Sequence, residues 1–414
     1  MNDDVSPHLL PNTRDAALRA RARAVVPGGM WGHQNAANLP EGYPQFFSHA
    51  EGSRIWDVDG NEYVDFMCSW GPMILGYRHP AVEEAVKRQL AEGDCMNGPG
   101  EAMVELAERM VATVPHADWV QFQRNGTDAT TFCVTLARSA TGKRKILQAV
   151  GAYHGALPWS SPALPGSTNE DRAHVIGYAY NDPASLQAAA DAAGDDLAAI
   201  VVSAFKHDLA TDQEMPNSAF ANLARAICDA KGAALIVDDV RAGFRLHPGG
   251  SWETVGVRPD MAAWSKAIAN GYPLAAVTGN DRFREAATKT FSTGSFWTAA
   301  IPYAAGVATL KELEASNAIA TMVRMGTLLR EGLHELSQKA GLPLRQTGPV
   351  QMPMVLFEDD ADFRKAFAFC SAALKAGAYF HPKHNMFLSA AHTEDDIAIA
   401  LKAAEKGFVA AAVA

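Results

Sequence analysis

The sequence of 414 residues contains few cysteines, and none of them is close to another. A disulfide framework needs paired cysteines, and a zinc site is usually marked by closely spaced ligands such as CxxC. The five cysteines are odd in number and scattered, so neither kind of site is predicted (Cys68, Cys95, Cys133, Cys228 and Cys370). A reducing compartment is therefore the expectation.

Long apolar segments are also missing. No stretch of about 18 apolar residues runs without interruption, as a transmembrane helix would require. The first residues, MNDDVSPHLLPNTRD, are acidic and polar, whereas a secretory signal would be basic and then apolar. We therefore expect no membrane association and a cytoplasmic location.

Positive charge is in deficit, because 36 Lys+Arg stand against 46 Asp+Glu and give a formal net charge of -10. Such a balance disfavours binding to nucleic acid or to an anionic membrane surface. Small molecules are the predicted partners.

The N-terminal part shows a helix and a hairpin. Residues 13–26 have helical periodicity and end at a Pro-Gly-Gly breaker. The β-prone runs RIWDV and EYVDFM flank Asp59-Gly60-Asn61, a sequence typical of a hairpin turn.

From residue 80 to about residue 290, helical stretches alternate with short apolar runs: WVQF, KILQAV, AAIVV, ALIVDDV, MAAWS and PLAAVTG. This alternation predicts an α/β fold with a mostly parallel central sheet and helices on both faces. Beyond residue 300, long helices and short strands such as MPMVLF predict a smaller α+β domain, the helices lying at roughly 299–340, 359–376 and 393–412. The predicted division is 1–75 (packing with the small domain), 76–300 (large domain) and 301–414 (small domain).

Four of the apolar runs are closed by polar residues. In an open α/β sheet, ligands bind beyond the carboxyl ends of the strands, so these residues should meet in one crevice. They are Asn125-Gly126-Thr127-Asp128 after WVQF, Tyr153-His154-Gly155 after KILQAV, Asp238-Asp239 in ALIVDDV, and Lys266 after MAAWS.

Lys266 and Asp238 indicate a specific chemistry. Desolvation of a buried lysine lowers its pKa and exposes a nucleophilic amine that forms Schiff bases, although a lone lysine more commonly reaches solvent or pairs with a carboxylate. A buried aspartate needs a cationic or strongly donating partner, such as a pyridinium nitrogen, backbone amides, Arg241 or Arg245. The two residues, each at a strand end and about 28 positions apart, suit pyridoxal phosphate.

The remaining polar residues extend this interpretation. Asn125-Gly126-Thr127 lies between a strand and a helix, where N–H groups, a hydroxyl and the helix dipole bind phosphate, although an ordinary helix cap has the same composition. Tyr153 and His154 offer aromatic rings for the face of a pyridine, or simply pack in the interior. Taken together, the four groups predict a pyridoxal phosphate site.

The chain resembles the class III, fold-type I pyridoxal-phosphate aminotransferases, especially the branch that contains glutamate-1-semialdehyde aminomutase. The resemblance extends from about residue 20 to the C-terminus and is carried by RNGTDATTFCVTLARSATGKRKIL, GAYHGA, ALIVDDVRAGFRL, PDMAAWSKAIANGYPLAAVTG and FLSAAHTEDDI.

The resemblance implies a role for each of the main residues. Lys266 would be the Schiff-base lysine and proton carrier, and Asp238 the partner of the pyridine nitrogen. Gly126 and Thr127 would cradle the phosphate, with Tyr153 stacked on the ring and His154 beside it. The segment STGSFWTAAIP resembles a loop that reaches the neighbouring subunit's phosphate, which would place Ser295 there. An obligate homodimer with active sites at its interface follows.

The chain departs from the aminomutase pattern. Asn35 stands at about the position of the arginine that holds the aminomutase substrate's carboxylate. Asp239 takes the second place of the Asp-Glu-Val motif, and Ser203-Ala204 replace a glutamate-proline pair. The segments PGGMWGH, CSWGP, DDVRAGF, TGSFW and HPKHNMFLSAAHT are similar to those of amine transaminases of the fumonisin aminotransferase type, which act on bulky amines without an adjacent carboxylate.

Aromatic residues in the same loops are predicted to wall the substrate pocket, or else to pack at a dimer interface: Trp31, Trp70, Tyr77, Phe296 and Trp297. The predicted reaction transfers an amino group from a bulky primary amine to a small keto acid such as pyruvate by a ping-pong mechanism. The keto acid's carboxylate needs a cation, for which the candidates are Arg78, Lys206, Arg241 and Lys383, with Arg241 placed in the substrate pocket.

Other functions stay open at this point. An aminomutase or a β-amino-acid aminotransferase would use the same cofactor. A nucleotide-binding oxidoreductase would share the sheet, but the sequence lacks a GxGxxG fingerprint after a first strand. A regulatory module is disfavoured because no basic DNA-binding segment is appended.

Overall fold

The structure is a computed structural model that describes residues 12–162 and 165–414. Its strands, numbered in chain order, are β1 (Phe47–Glu51), β2 (Arg54–Asp57), β3 (Glu62–Asp65), β4 (Trp119–Gln123), β5 (Lys145–Ala149), β6 (Val175–Tyr178), β7 (Leu197–Ser203), β8 (Ala234–Asp238), β9 (Met261–Trp264), β10 (Ala275–Gly279), β11 (Leu344–Thr347), β12 (Met354–Phe357) and β13 (Ala378–Tyr379). The helices are α1 (Thr13–Val25), α2 (Pro80–Glu92), α3 (Glu101–Thr113), α4 (Gly126–Thr141), α5 (Pro183–Ala193), α6 (Ser218–Lys231), α7 (Arg284–Lys289), α8 (Ala300–Ala315), α9 (Ala318–Ala340), α10 (Arg364–Lys375) and α11 (Glu394–Ala411).

A seven-stranded sheet in the order β4-β10-β9-β8-β7-β5-β6 forms the centre of the fold. Its pairs are parallel except those made by β10, which runs antiparallel to both β4 and β9. The predicted α/β fold with a mostly parallel sheet is confirmed. The predicted apolar runs form six of the strands, whereas β6 is missing from the prediction because VIGY offers only a short apolar pair.

Both faces of the sheet are covered, which explains why β7, β8, β9 and β10 are buried along their whole lengths. Side chains alternate between the faces, as strand geometry requires. Leu235 and Val237 of β8 join one core cluster with α5 and α6, while Ala234 and Ile236 join a second cluster with α4. The ends of β8 and β9 are therefore fixed in position by cores on both sides.

A second sheet, in the order β1-β2-β3-β13, joins the N-terminal hairpin to the C-terminal part of the chain, with β3 parallel to β13. The predicted hairpin between β2 and β3 is present. Asp57 stabilises its turn by accepting hydrogen bonds from the N–H groups of Asp59 and Asn61, both at 2.9 Å. The division of the chain at residues 75 and 300 stays a prediction.

Two helix predictions beyond residue 300 need correction. The helix expected at 299–340 is two helices, because Ser316 adopts an extended conformation between α8 and α9. The helix expected from residue 359 begins at Arg364, since Asp360 accepts hydrogen bonds from the N–H groups of Lys365 and Ala366 and so caps it there. Among the described residues, no helix is both long and apolar enough to cross a membrane.

Candidate active site

A cavity of about 180 Å³ lies beyond the carboxyl ends of β5, β8 and β9, beside the N-terminus of α4. Seven of the predicted site residues line it: Gly126, Thr127, Tyr153, His154, Asp238, Arg241 and Lys266. Three of the four groups of polar residues come from strand ends, and the fourth from the loop between β4 and α4. The structure therefore brings the predicted groups into one crevice.

Lys266 begins a short 3-10 helix (Lys266–Ala269) directly after β9, and its φ of +46° lies in the left-handed region that side chains other than glycine rarely adopt. Its Nζ donates a hydrogen bond to the Trp70 carbonyl at 2.8 Å. Burial, helped by the charges of Arg241 and Arg245, lowers the pKa of Lys266 to about 7. A large fraction of the amine is thus unprotonated at neutral pH and able to act as a nucleophile.

The Asp238 carboxylate ends β8 and is 8% exposed. Its Oδ2 lies 2.7 Å from Nδ1 of the buried His154, and its Oδ1 accepts the Val240 N–H at 3.1 Å. Because the carboxylate accepts, the Nδ1 of His154 is the donor in this contact. Among the described residues, Nε2 of His154 has no hydrogen-bond partner. The contact holds the carboxylate at the edge of the cavity.

The N-terminus of α4 combines a helix cap with a wall of the cavity. Asp128 accepts the Asn125 N–H at 3.0 Å, so the helix cap considered from the sequence is indeed present. The first N–H groups of a helix lack intrahelical acceptors, and Gly126 and Thr127, the first two residues of α4, line the cavity. A Cβ on Gly126 would lie 2.7 Å from Cγ1 of Val240, so a larger residue would force the two segments apart.

Trp70 links the first cavity to a second one of about 460 Å³. It lines the second cavity, and its carbonyl accepts the hydrogen bond from Lys266, which lines the first. Tyr77 lines the second cavity too, and its hydroxyl donates to the buried Asp65 at 2.7 Å. Most of the remaining wall is apolar and comes from the N-terminal segment and β13, including Met30, Leu39, Phe47, Ile55, Met67 and Tyr379.

The turn that carries Trp70 has an uncommon backbone. Cys68, Ser69 and Trp70 have φ values of +47°, +54° and +66°, three successive left-handed residues of which none is glycine. Asp65 accepts the Met67 N–H at 2.7 Å and so supports the start of this turn. Such strain is stored mainly at functional sites, and here it aims the Trp70 carbonyl at Lys266.

Four predicted residues lie away from both cavities of the described chain. Trp31 and Phe296 are 67% and 69% exposed, Ser295 is exposed, and Trp297 is partly buried. Arg124 holds the loop of Ser295, Phe296 and Trp297 by donating to the carbonyls of Phe296 and Ala299. Their predicted roles at the cofactor or the substrate stay predictions.

Sequence reasoning missed a set of histidines beside Trp70. The ring centroids of His33, His384 and His381 lie 4.4, 5.2 and 5.4 Å from that of Trp70. Burial lowers the pKa of each, to about 3 for His381, so these imidazoles are neutral at pH 7. The spacing of two histidines in HPKHNMF was the available signal, but it points equally to packing.

Comparison with known proteins agrees with this geometry. The sequence model of the family described as aminotransferase class-III matches residues 37–403. The chain belongs to the class III aminotransferases. This aminotransferase is 49% identical to the aminopentol aminotransferase of Sphingopyxis macrogoltabida, an alignment that covers 96% of this chain and 94% of the relative. It is 33% identical to the glutamate-1-semialdehyde 2,1-aminomutase of Chloroherpeton thalassium, over 92% and 94% of the two chains.

The structures agree as well. The FumI protein of Sphingopyxis sp. MTA144, solved in its pyridoxal phosphate internal aldimine form, superposes on this aminotransferase with a TM-score of 0.95 at 49% identity, over 96% of each chain. The fold is that of the fold-type I transferases, and pyridoxal phosphate is the cofactor. Neither an oxidoreductase nor a regulatory module remains an alternative.

Proposed function

We propose that this aminotransferase takes its amino group from a bulky primary amine without an adjacent carboxylate and gives it to a small keto acid such as pyruvate. The observation that carries this proposal is the large apolar cavity next to Lys266. Among the described residues, neither a lysine nor an arginine lines it, so a carboxylate there would find no counter-ion. An apolar substituent would be accommodated.

Asn35 supports the same conclusion. Its side chain donates to the Met30 carbonyl and accepts from the Ala37 N–H, both at 3.0 Å. The residue at the position of the aminomutase arginine thus stabilises its own loop. The name of the Sphingopyxis macrogoltabida relative, an aminopentol aminotransferase, agrees with an amine substrate.

The residues of the smaller cavity fit pyridoxal phosphate. A buried carboxylate at Asp238, held by a hydrogen bond from His154, is suited to a protonated ring nitrogen. The N-terminus of α4 offers N–H groups and the positive end of a helix dipole to a phosphate. Tyr153, half exposed at the mouth, would cover the ring. Together with the amine of Lys266, these groups would hold the cofactor.

Pyridoxal phosphate supplies an aldehyde that condenses with primary amines and a ring that takes up the electrons left when the amine-bearing carbon loses its proton. Lys266 would take that proton at Nζ and release it again later in the same half-reaction. Its lowered pKa suits a base that works near neutral pH. Asp238 would keep a positive charge on the ring nitrogen, and Trp70 would hold Nζ in place through its carbonyl. The keto acid would run the same proton transfers in reverse, which gives ping-pong kinetics.

We also propose a homodimer with active sites at its interface, in the cytoplasm. The exposed apolar side chains of Trp31, Phe291 and Phe296 are of the kind that partner surfaces cover, Phe291 being 89% exposed. Free thiols at Cys68 and Cys133 fit a reducing compartment. Light scattering that gave the mass of one chain at micromolar concentration would contradict the dimer.

The experiment is a turnover assay with the cofactor-loaded enzyme, pyruvate and a panel of amines, amino acids, β-amino acids and glutamate-1-semialdehyde. With bulky amines, we expect pyruvate to be converted to alanine and the amine to a ketone or aldehyde. Double-reciprocal plots should give parallel lines, as a ping-pong mechanism requires. Strong turnover of a β-amino acid or of the semialdehyde, with none of any amine, would instead support the aminomutase or β-amino-acid alternative.

A further inference from the structure

The second half of the proposed reaction poses a problem of charge. A keto acid carries a carboxylate next to its reacting carbon, and taking that carboxylate into a buried site costs free energy unless a cation faces it. Because the reacting carbon must come close to Lys266, the cation has to border the smaller cavity. The sequence leaves four candidates, and the structure places them very differently.

Three of the four are unsuitable. Lys206 is paired with Glu214 at 2.7 Å. Lys383 lies over the rings of Phe363 and Phe367, with its Nζ 4.5 and 4.9 Å from their centroids. Arg78 is exposed. None of these three lines the smaller cavity.

Arg241 lines the cavity together with Lys266 and Asp238. Within the described part of the chain it donates two hydrogen bonds, both from Nη1: one to Oδ1 of Asn385 at 2.6 Å and one to the His207 carbonyl at 3.5 Å. Its Nε and Nη2, the edge that binds a carboxylate with two parallel hydrogen bonds, donate to no acceptor among the described residues. No carboxylate of these residues lies at ion-pair distance from it, since Asp238 is engaged by His154.

The surroundings of Arg241 leave its charge available. Asn385 is fully buried and its Nδ2 donates to the Met386 carbonyl at 2.9 Å, so the residue that anchors the guanidinium is itself fixed. His207 and His384 are neutral, since burial lowers their pKa values well below the usual range. Asp208 and Asp238 are the carboxylates whose charges reach Arg241, and neither bonds to it. The guanidinium thus keeps its positive charge, with no ion-pair partner among the described residues, in the cavity that Lys266 also lines.

We infer that Arg241 is the carboxylate-binding residue for the keto acid, receiving it on the edge formed by Nε and Nη2. This inference rests on the proposed function. It assigns the two substrates to different places: the keto acid's carboxylate binds in the smaller cavity at Arg241, and the apolar part of the amine occupies the larger cavity beyond Trp70.

The test measures the two half-reactions separately on cofactor-loaded Arg241→Gln and Arg241→Lys. Loss of the visible absorbance of the bound cofactor measures its reaction with an aliphatic amine. Recovery of that absorbance measures the reverse reaction with pyruvate, or with an aliphatic aldehyde that carries no carboxylate. For Arg241→Gln we expect the specificity constant with pyruvate to fall on the order of 10- to 100-fold, as for a lost charged hydrogen-bond pair. The constants with the amine and the aldehyde should change by less than about threefold. Arg241→Lys keeps the positive charge but lacks the two parallel hydrogen-bond donors. Its specificity constant with pyruvate should lie between those of the wild type and Arg241→Gln.

Controls separate this role from others. Lys206→Gln removes a cation that already has a partner in Glu214, and it should leave the constant for pyruvate unchanged. Removing a partly buried charge that has no ion-pair partner among the described residues should not destabilise the fold, and melting temperature together with the dissociation constant of the cofactor checks this. If Arg241→Gln lost cofactor affinity, or lost amine and pyruvate reactions equally, Arg241 would serve the cofactor and the inference would be wrong. Unchanged pyruvate kinetics would overturn it too. A wild-type enzyme that accepted no keto acid would refute the proposed function itself.

Discussion

The two cavities of this aminotransferase are built in different ways. The smaller one lies at the ends of strands in a sheet that is buried on both faces, and charged or polar groups from β8, β9 and α4 line it. The larger one is made by the N-terminal segment, the turn at Trp70 and β13, and its wall is mostly apolar. Under the proposed function, the reaction would depend on residues at the ends of the central strands, whereas substrate choice would depend on peripheral segments.

The largest expected effect comes from removing Lys266 at the smaller cavity. We expect Lys266→Ala to lower turnover by at least about 1,000-fold, because it removes both the nucleophile and the proton carrier. Turnover and the visible spectrum of the purified variant check this. A variant with normal activity and an unchanged visible band would show that Lys266 is neither the nucleophile nor the proton carrier.

Asp238→Asn should cost on the order of 100-fold in turnover, since a neutral amide cannot stabilise a positive ring nitrogen as a carboxylate does. The amide keeps the size of the side chain, so the melting temperature should change little. Kinetics of the amine half-reaction provide the measurement. An effect of only a few-fold would mean that the charge of Asp238 contributes to folding more than to chemistry.

Filling the larger cavity should change substrate choice and leave the chemistry intact. Ala50 lies on β1 in the wall of that cavity. Ala50→Trp should raise KM for a long-chain amine roughly 10- to 50-fold through lost apolar contact, with little effect on a short amine. Ala50→Ser, similar in volume, is the matched control. Equal losses for long and short amines would contradict the separation of the two cavities.

The pH dependence of cofactor loading should show the smallest effect. In the cofactor-free enzyme the pKa of Lys266 is lowered from 10.5 to about 7, so Nζ is protonated and unreactive below that value. The rate of pyridoxal phosphate binding should fall about tenfold per pH unit below 7 and level off above it. A midpoint near 10 in the wild type would contradict the burial of this amine.

Sequence patterns predicted the central sheet and the residues around the smaller cavity because strand ends carry a local signal. Lys266 and Asp238 are polar residues that close apolar runs, and such residues stand out without any knowledge of contacts. Three other features depend on long-range packing. The histidines around Trp70 come from both ends of the chain. Arg241 is held at the smaller cavity by Asn385, which is distant in sequence. The left-handed turn at Cys68–Trp70 contains no glycine that would predict it.

The helix break at Ser316 also depends on long-range packing. The sequence from 299 to 340 is rich in strong helix formers on both sides of Ser316-Asn317, so propensity summed over the region gives one long helix. Packing of α8 against α2 and of α9 against α11 is decided by contacts distant in sequence, and these require the chain to turn between the two helices.

The central claim is that the larger cavity selects an amine with an apolar chain. A single-turnover half-reaction with a matched pair, an aliphatic amine and the ω-amino acid of the same chain length, tests it most directly through loss of the visible band of the bound cofactor. We predict that the amine reacts at least about 100-fold faster, since the carboxylate at the far end of the amino acid's chain would enter a cavity that neither a lysine nor an arginine of the described residues lines. Faster reaction of the amino acid would contradict the account.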